Sequence, residues 1–153
     1  EYKSDRDAYV RLVCEDMIPR VARAGLADAV DVFCESVGFA HEETRAAFDA
    51  AAKHGLNVKL HAEQLSDMKG ATLAASYGAL SADHLEYIDE AGVAALAKAK
   101  TAAVLLPGAF YALKETTKPP VALFRKYGVA MALATDLNPG TSPMLSPTLA
   151  MSM

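Results

Sequence analysis

Asn57-Val58-Lys59-Leu60-His61 is a short apolar run of β type that closes on an ionisable side chain, and Ser81-Ala82-Asp83-His84-Leu85 repeats the arrangement one unit later. Three similar runs flank this pair: Val30-Asp31-Val32-Phe33-Cys34, Ala102-Ala103-Val104-Leu105-Leu106 and Val129-Ala130-Met131-Ala132-Leu133-Ala134. Their starts lie roughly 20 to 30 residues apart, the length of a βα unit. The stretches between them have a helical pattern. Ala46, Ala47, Phe48, Ala50 and Ala51 form a stripe closed by Gly55, and Ser66 or Asp67 is expected to cap a helix over 73–77 that ends at Gly78. Gly70 inside that segment costs about 1 kcal/mol against Ala. Asp89 is read as the cap of 93–99, and Thr117 before Pro119-Pro120 as the start of a helix closed by Gly128. Residues 7–24 form a further helical stretch that Pro19 kinks or divides.

Strict alternation of β and α elements implies an α/β fold with a parallel sheet covered by helices, either open and doubly wound or a (β/α) barrel. Several strands end in an ionisable group, namely Glu35, His61, His84 and Asp136. In a barrel those ends converge on one mouth, where barrel enzymes keep their chemistry. Five strands do not close an eight-stranded barrel, so on that reading its first strands lie outside this sequence. The chain also begins without a methionine and stops in Leu149-Ala150-Met151-Ser152-Met153, which reads as the first turns of an unfinished helix.

The 153 residues are 52% apolar, 22% charged and 7% aromatic, an ordinary globular composition that fits one domain over 1–153. Fifteen basic against 19 acidic residues give a net charge of -4 with no Lys/Arg run, which argues against nucleic acid or an anionic membrane as partner. The charged start Glu1-Tyr2-Lys3-Ser4-Asp5-Arg6 and the lack of an 18-residue apolar run fit neither a signal peptide nor a membrane span, so a cytoplasmic protein is expected. Cys14 and Cys34 read as free thiols buried in a reducing compartment rather than as a disulfide.

His61 and His84, in register one βα unit apart, are either packed rim residues or metal ligands, since imidazole is the commonest ligand. Asp136 follows an apolar strand where an unpaired carboxylate is costly. It is either compensated by a metal or other cation, or engaged in an Asx-turn into Asn138-Pro139-Gly140. Taken together, the three suggest hydrolytic metal chemistry, in which a divalent ion lowers the pKa of bound water. Two ligands fall short of the usual three or so, so another is expected from outside the sequence. His41 and His54, at the two ends of one helix, are explained by capping and dipole roles. Glu35 and Glu63 face the mouth or sit in solvated loops, and the methionines with Tyr87, Tyr111 and Tyr127 read as core or rim packing. Phosphate-loop, dinucleotide-binding, nucleophile-elbow and zinc-finger spacings are missing from the sequence.

Asp31-Val32-Phe33-Cys34-Glu35, Lys59-Leu60-His61-Ala62-Glu63-Gln64-Leu65-Ser66, Ala82-Asp83-His84-Leu85-Glu86, Leu105-Leu106-Pro107-Gly108-Ala109-Phe110-Tyr111 and Ala134-Thr135-Asp136-Leu137-Asn138-Pro139-Gly140 resemble, in order and spacing, the imidazolonepropionases, metal-dependent cyclic amidohydrolases of histidine degradation. The resemblance implies strands four to eight of a (β/α)8 barrel, with the first strands and a small flanking β-sandwich absent. It implies hydrolysis of 4-imidazolone-5-propanoate to N-formimidoyl-L-glutamate with one divalent metal, zinc or iron, in a cytoplasmic homodimer. His61 and Asp136 match metal ligands, Asp136 doubling as the base. His84 matches a histidine that stabilises charge on the substrate carbonyl. Gln64, Asn138, Gly140 and Thr141 match substrate-contacting positions. Gln64 stands where some members have Glu, and a neutral amide orients substrate or water but is a poor proton carrier. The family's His-x-His pair and the arginine, tyrosine and histidine that grip substrate from the first half have no counterpart here, so the isolated chain is expected to be inactive. The alternatives are another cyclic amidohydrolase of dihydroorotase or hydantoinase type, or a catalytically silent α/β scaffold.

Overall fold

The structure, a computed structural model, describes residues 4–153; the charged opening at 1–3 lies outside the described residues. Its five strands, β1 (Ala29–Cys34), β2 (Asn57–Ala62), β3 (Ser81–His84), β4 (Ala102–Leu105) and β5 (Met131–Leu133), form one parallel sheet in the order β1-β2-β3-β4-β5. Consecutive order without a reversal removes the doubly wound alternative, whose sheet must switch direction at a crevice.

Register gives the same answer. Val32 pairs with Leu60, Leu60 with Ala82 and Ala82 with Ala103, and this row is buried throughout under helices. One core cluster gathers Val32, Cys34, Val58, Leu60 and Ala62 with Ala47, Phe48 and Ala51 of α3 (His41–Lys53) and Leu73 and Ala74 of α4 (Gly70–Ser76). A second joins Ala82 and Ala103 to Val93 and Leu96 of α5 (Glu90–Ala99) and Phe124 of α7 (Val121–Tyr127). The neighbouring row, Asp31, Lys59 and Ser81, points to the other face, because strand side chains alternate. Helices on one face and polar groups on the other make this sheet an arc of a barrel.

Most helix boundaries follow the expected signals, and the departures have local causes. Asp89 caps α5 through Gly92 N–H at 2.7 Å. The cap of α4 is neither Ser66 nor Asp67. The Glu63 carboxylate accepts from the Gly70 and Ala71 amides at 2.6 and 2.8 Å instead. Gly70 is the first residue of that helix, so it carries no mid-helix penalty. A Cβ there would lie 3.0 Å from Ala62 Cβ and 3.1 Å from Leu60 Cδ2, so glycine is what lets the helix start against the strand. The helix expected at Thr117 begins after Pro120, two consecutive prolines having removed the amides an earlier start would use.

The stretch before and around Pro19 is divided, as expected, with a π-helical turn over Leu12–Met17 between α1 (Arg6–Arg11) and α2 (Ile18–Arg23). A wide turn relieves the clash of a proline ring with the carbonyl four residues back. The last residues form α8 (Pro147–Met151), capped by Ser146, and α6 (Pro107–Ala112) follows β4. Cys34 is fully buried, Cys14 is half-buried against the same core, and both are free thiols. Tyr127 packs at the edge of the second cluster, but Tyr111 and Met17, Met151 and Met153 are exposed rather than packed. No apolar layer covers them among the described residues. No helix of the described residues is long and apolar enough to cross a membrane.

Phe48 is fully buried and meets Tyr77 edge-on at 5.3 Å, joining α3 to the end of α4. Phe48→Ala should cost about 3–5 kcal/mol, read as a lower urea midpoint at unchanged slope; a midpoint within error of the parent would contradict this core assignment.

Candidate active site

Three strand ends deliver the site. His61 is the fifth residue of β2 and belongs to the inward row with Asp83, its pairing partner on β3. His84 pairs with Ala62, so simple alternation would send it toward the helices. Its backbone is left-handed (φ +78°), as is that of Leu85 (φ +71°), and this turns the ring to within 5.4 Å of the His61 ring. Asp136 follows β5, also left-handed (φ +49°). Non-glycine residues held in this region cost of order 1 kcal/mol or more and cluster where side-chain direction matters.

The donor atoms converge. His61 Nε2 lies 3.7 Å from Asp136 Oδ1, and His84 Nε2 lies 3.8 Å from Asp136 Oδ2. One ligand atom from each of the three falls within 4.8 Å of the others. Ligands about 2 Å from a tetrahedral ion sit roughly 3.3–3.5 Å apart, so neutral imidazoles and a carboxylate at this spacing fit a divalent cation after small adjustments. His84 Nε2 stands beside the two expected ligands, within reach of the same ion or of a substrate bound to it.

Electrostatics divide the two histidines. Burial pushes His84 down to about 3, with the nearby His61 charge adding to the effect, so its ring is neutral at physiological pH. Burial also opposes charge on His61, but the Asp31 hydrogen bond and the Asp31, Asp83 and Asp136 charges outweigh it and raise its pKa. Asp136 is raised by burial, with His61 partly offsetting that.

Beneath the histidines the inward row carries a chain of ionic contacts the sequence reading gave no role. Ser81 Oγ donates to Asp83 Oδ1 at 2.7 Å, and Lys59 Nζ lies 3.1 Å from Asp83 Oδ2 and 3.7 Å from Asp31 Oδ2. Asp31 Oδ1 in turn lies 3.1 Å from His61 Nδ1. Their signal was present: Asp31, Lys59 and Asp83 interrupt apolar strands at inward positions.

The loops are braced by buried carboxylates. Glu35 accepts from the Leu65 and Ser66 amides at 2.8 and 3.2 Å and from Ser66 Oγ at 2.8 Å, tying the end of β1 to the turn after β2. Glu63 then ties that turn to α4. Both are 1% exposed, which removes the solvated-loop reading. Burial raises Glu63 to about 7 against the lowering effect of its two amide partners. Gln64 is buried in the same turn.

The Asx-turn belongs to Asn138 rather than Asp136. Asn138 Oδ1 accepts from the Gly140 and Thr141 amides at 2.9 and 2.7 Å, and its Nδ2 donates to Asp136 O and Thr141 Oγ1, both at 2.8 Å. The Asp136 carboxylate is thereby left for the histidines. Buried Ser142 donates to Thr135 O at 2.6 Å, and a Cβ on Gly108 of α6 would meet Ser142 Oγ at 2.9 Å. That approach seats the loop.

Glu86, missed by the sequence reading, is buried with Oε2 unpartnered, 3.9 Å from the equally unpartnered His84 Nδ1. Burial raises it from 4.5 to about 7, with Glu115 and Glu35 adding repulsion. A raised carboxyl pKa means that the folded chain holds the extra proton between those values, so stability falls as pH rises across that window. Glu86→Gln should therefore gain on the parent by on the order of 2–3 kcal/mol between pH 4.5 and 7, seen in paired melts. A stability difference that stays flat with pH would show that Glu86 titrates normally.

The chain is 62% identical over all 153 residues to an imidazolonepropionase of Caulobacter vibrioides and to one of Cupriavidus taiwanensis, spanning 38% and 37% of their lengths. It is 63% identical over 152 residues, 99% of its length, to an imidazolonepropionase of Chromobacterium violaceum, of which it spans 37%. The chain thus spans well under half the length of the curated relatives it matches. No family model matches it. Among solved structures, an amidohydrolase from a Sargasso Sea environmental sample superposes with a TM-score of 0.55 at 19% identity, over 83% of this chain and 30% of that one. A triazine hydrolase variant gives 0.53 at 15%, over 81% and 34%. These likenesses support the fold alone.

Proposed function

We propose that this chain, which belongs along its whole length to the imidazolonepropionase family, carries part of the active site of a hydrolase that opens 4-imidazolone-5-propanoate to N-formimidoyl-L-glutamate. The observation behind this reading is the convergence of His61, His84 and Asp136 from three strand ends. In the whole protein the chain supplies strands four to eight of a (β/α)8 barrel, in a cytoplasmic homodimer.

His61 through Nε2 and Asp136 through its carboxylate would hold one divalent ion, zinc or iron, both compatible with nitrogen and oxygen donors. Such an ion would supply Lewis acidity and lower the pKa of a bound water toward neutrality. Asp136 would take a proton from the attacking water and return it to the leaving nitrogen. His84, kept neutral, presents Nε2 to the ring carbonyl and hydrogen-bonds the oxygen as negative charge develops there. The turn from Asn138 through Gly140 to Thr141 contacts the substrate, with Asn138 setting its shape, and Gln64 orients substrate or water as a neutral amide. A silent scaffold would leave the Asp136 carboxylate facing two imidazoles with nothing to do, and a hydantoinase or dihydroorotase activity would appear on substrate profiling.

The test measures metal content and imidazolonepropionate hydrolysis on one sample, for this chain alone and joined to the amino-terminal part of a relative. In the joined protein His61→Ala or Asp136→Ala should lower turnover by at least about 10²-fold and release the metal. Near-parent turnover in either variant would sink the assignment.

A further inference from the structure

We propose that Asp31 is a positioning residue that locks His61 in the tautomer protonated on Nδ1, with Lys59 and Asp83 holding Asp31 in place. Resting on the metal-site reading above, the inference adds residues that reading does not use. A histidine that coordinates through Nε2 must keep its proton on Nδ1, and the group accepting from Nδ1 decides this. In this structure Asp31 Oδ1 lies 3.1 Å from Nδ1, while Nε2 faces Asp136 at 3.7 Å. Asp83, 3.8 Å from Nδ1, is too distant to replace it. The Asp31 carboxylate needs an anchor to stay at that distance. Lys59 supplies one, bridging Asp31 and Asp83, and Ser81 fixes Asp83 from beneath. The Asp31, His61 and Asp83 grouping also has the donor spacing of a cation site. The Lys59 ammonium already satisfies its two carboxylates, so this cluster orients a ligand rather than binding a second ion.

The chain has four histidines, few enough for nitrogen-15 histidine spectra to resolve each ring. In the metal-free chain at alkaline pH, where the rings are neutral, His61 should carry its proton on Nδ1. Asp31→Ala and Asp31→Asn should shift it toward Nε2 and, in the protein joined to the amino-terminal part of a relative, weaken zinc binding about 10- to 100-fold, measured by chelator competition. Unchanged signals from His41 and His54 would report an intact fold. A parent chain with His61 protonated on Nε2, or a folded Asp31→Ala chain with parental tautomer and zinc affinity, would overturn the proposal. If the protein joined to the amino-terminal part of a relative binds no zinc, the metal reading fails by itself; an Nδ1-protonated His61 that depends on Asp31 would still support this inference, and one that does not would refute it.

Discussion

The row Val32, Leu60, Ala82 and Ala103, buried under helices on one face of a parallel sheet, is the constraint on which the site depends. Once these positions face the helices, strand alternation sends Asp31, Lys59, His61 and Asp83 to the opposite face as a set. A register slip of one residue would exchange the two rows and put four ionisable groups into the apolar layer. The hydrophobic pattern therefore fixes the polar inner face as firmly as the core.

That inner face is stable because its charges are partnered. Lys59 lies between two carboxylates, and the pull of Asp83 and Asp31 raises its pKa despite burial. Removing one member of such a set leaves the others uncompensated, which costs more than the set itself contributes. Above it, where the strands end, the backbone turns left-handed at Glu63, His84 and Asp136. These turns escape the alternation that the sheet imposes and let His84 join groups from the other row.

The loops around this mouth are held by side chains that look solvent-facing in sequence. Glu35 and Glu63 take backbone amides of the turn after β2 and of the start of α4, doing for the backbone what caps and ladders do elsewhere. Asn138 does the same for the loop after β5. The Asn138 brace shapes the loop that carries Asp136, whereas His61 and His84 are held by the pairing of β2 with β3.

The sequence by itself determined the βα alternation, the five strands, the Asp89 cap and the strand-end positions of His61, His84 and Asp136, because hydrophobic period and capping chemistry are local. It carried the family resemblance as well, through stretches of contiguous residues. That resemblance also implied the barrel, between which and a doubly wound sheet the hydrophobic pattern alone did not choose; only the tertiary structure decided Glu63 as the cap of α4, Asn138 rather than Asp136 as the turn-former, and the linkage of Asp31 to His61. The Asp31–His61 contact joins residues 30 positions apart, and side-chain reach across strands depends on register, burial and left-handed backbone turns. Those are properties of packing, and no window of adjacent residues contains them.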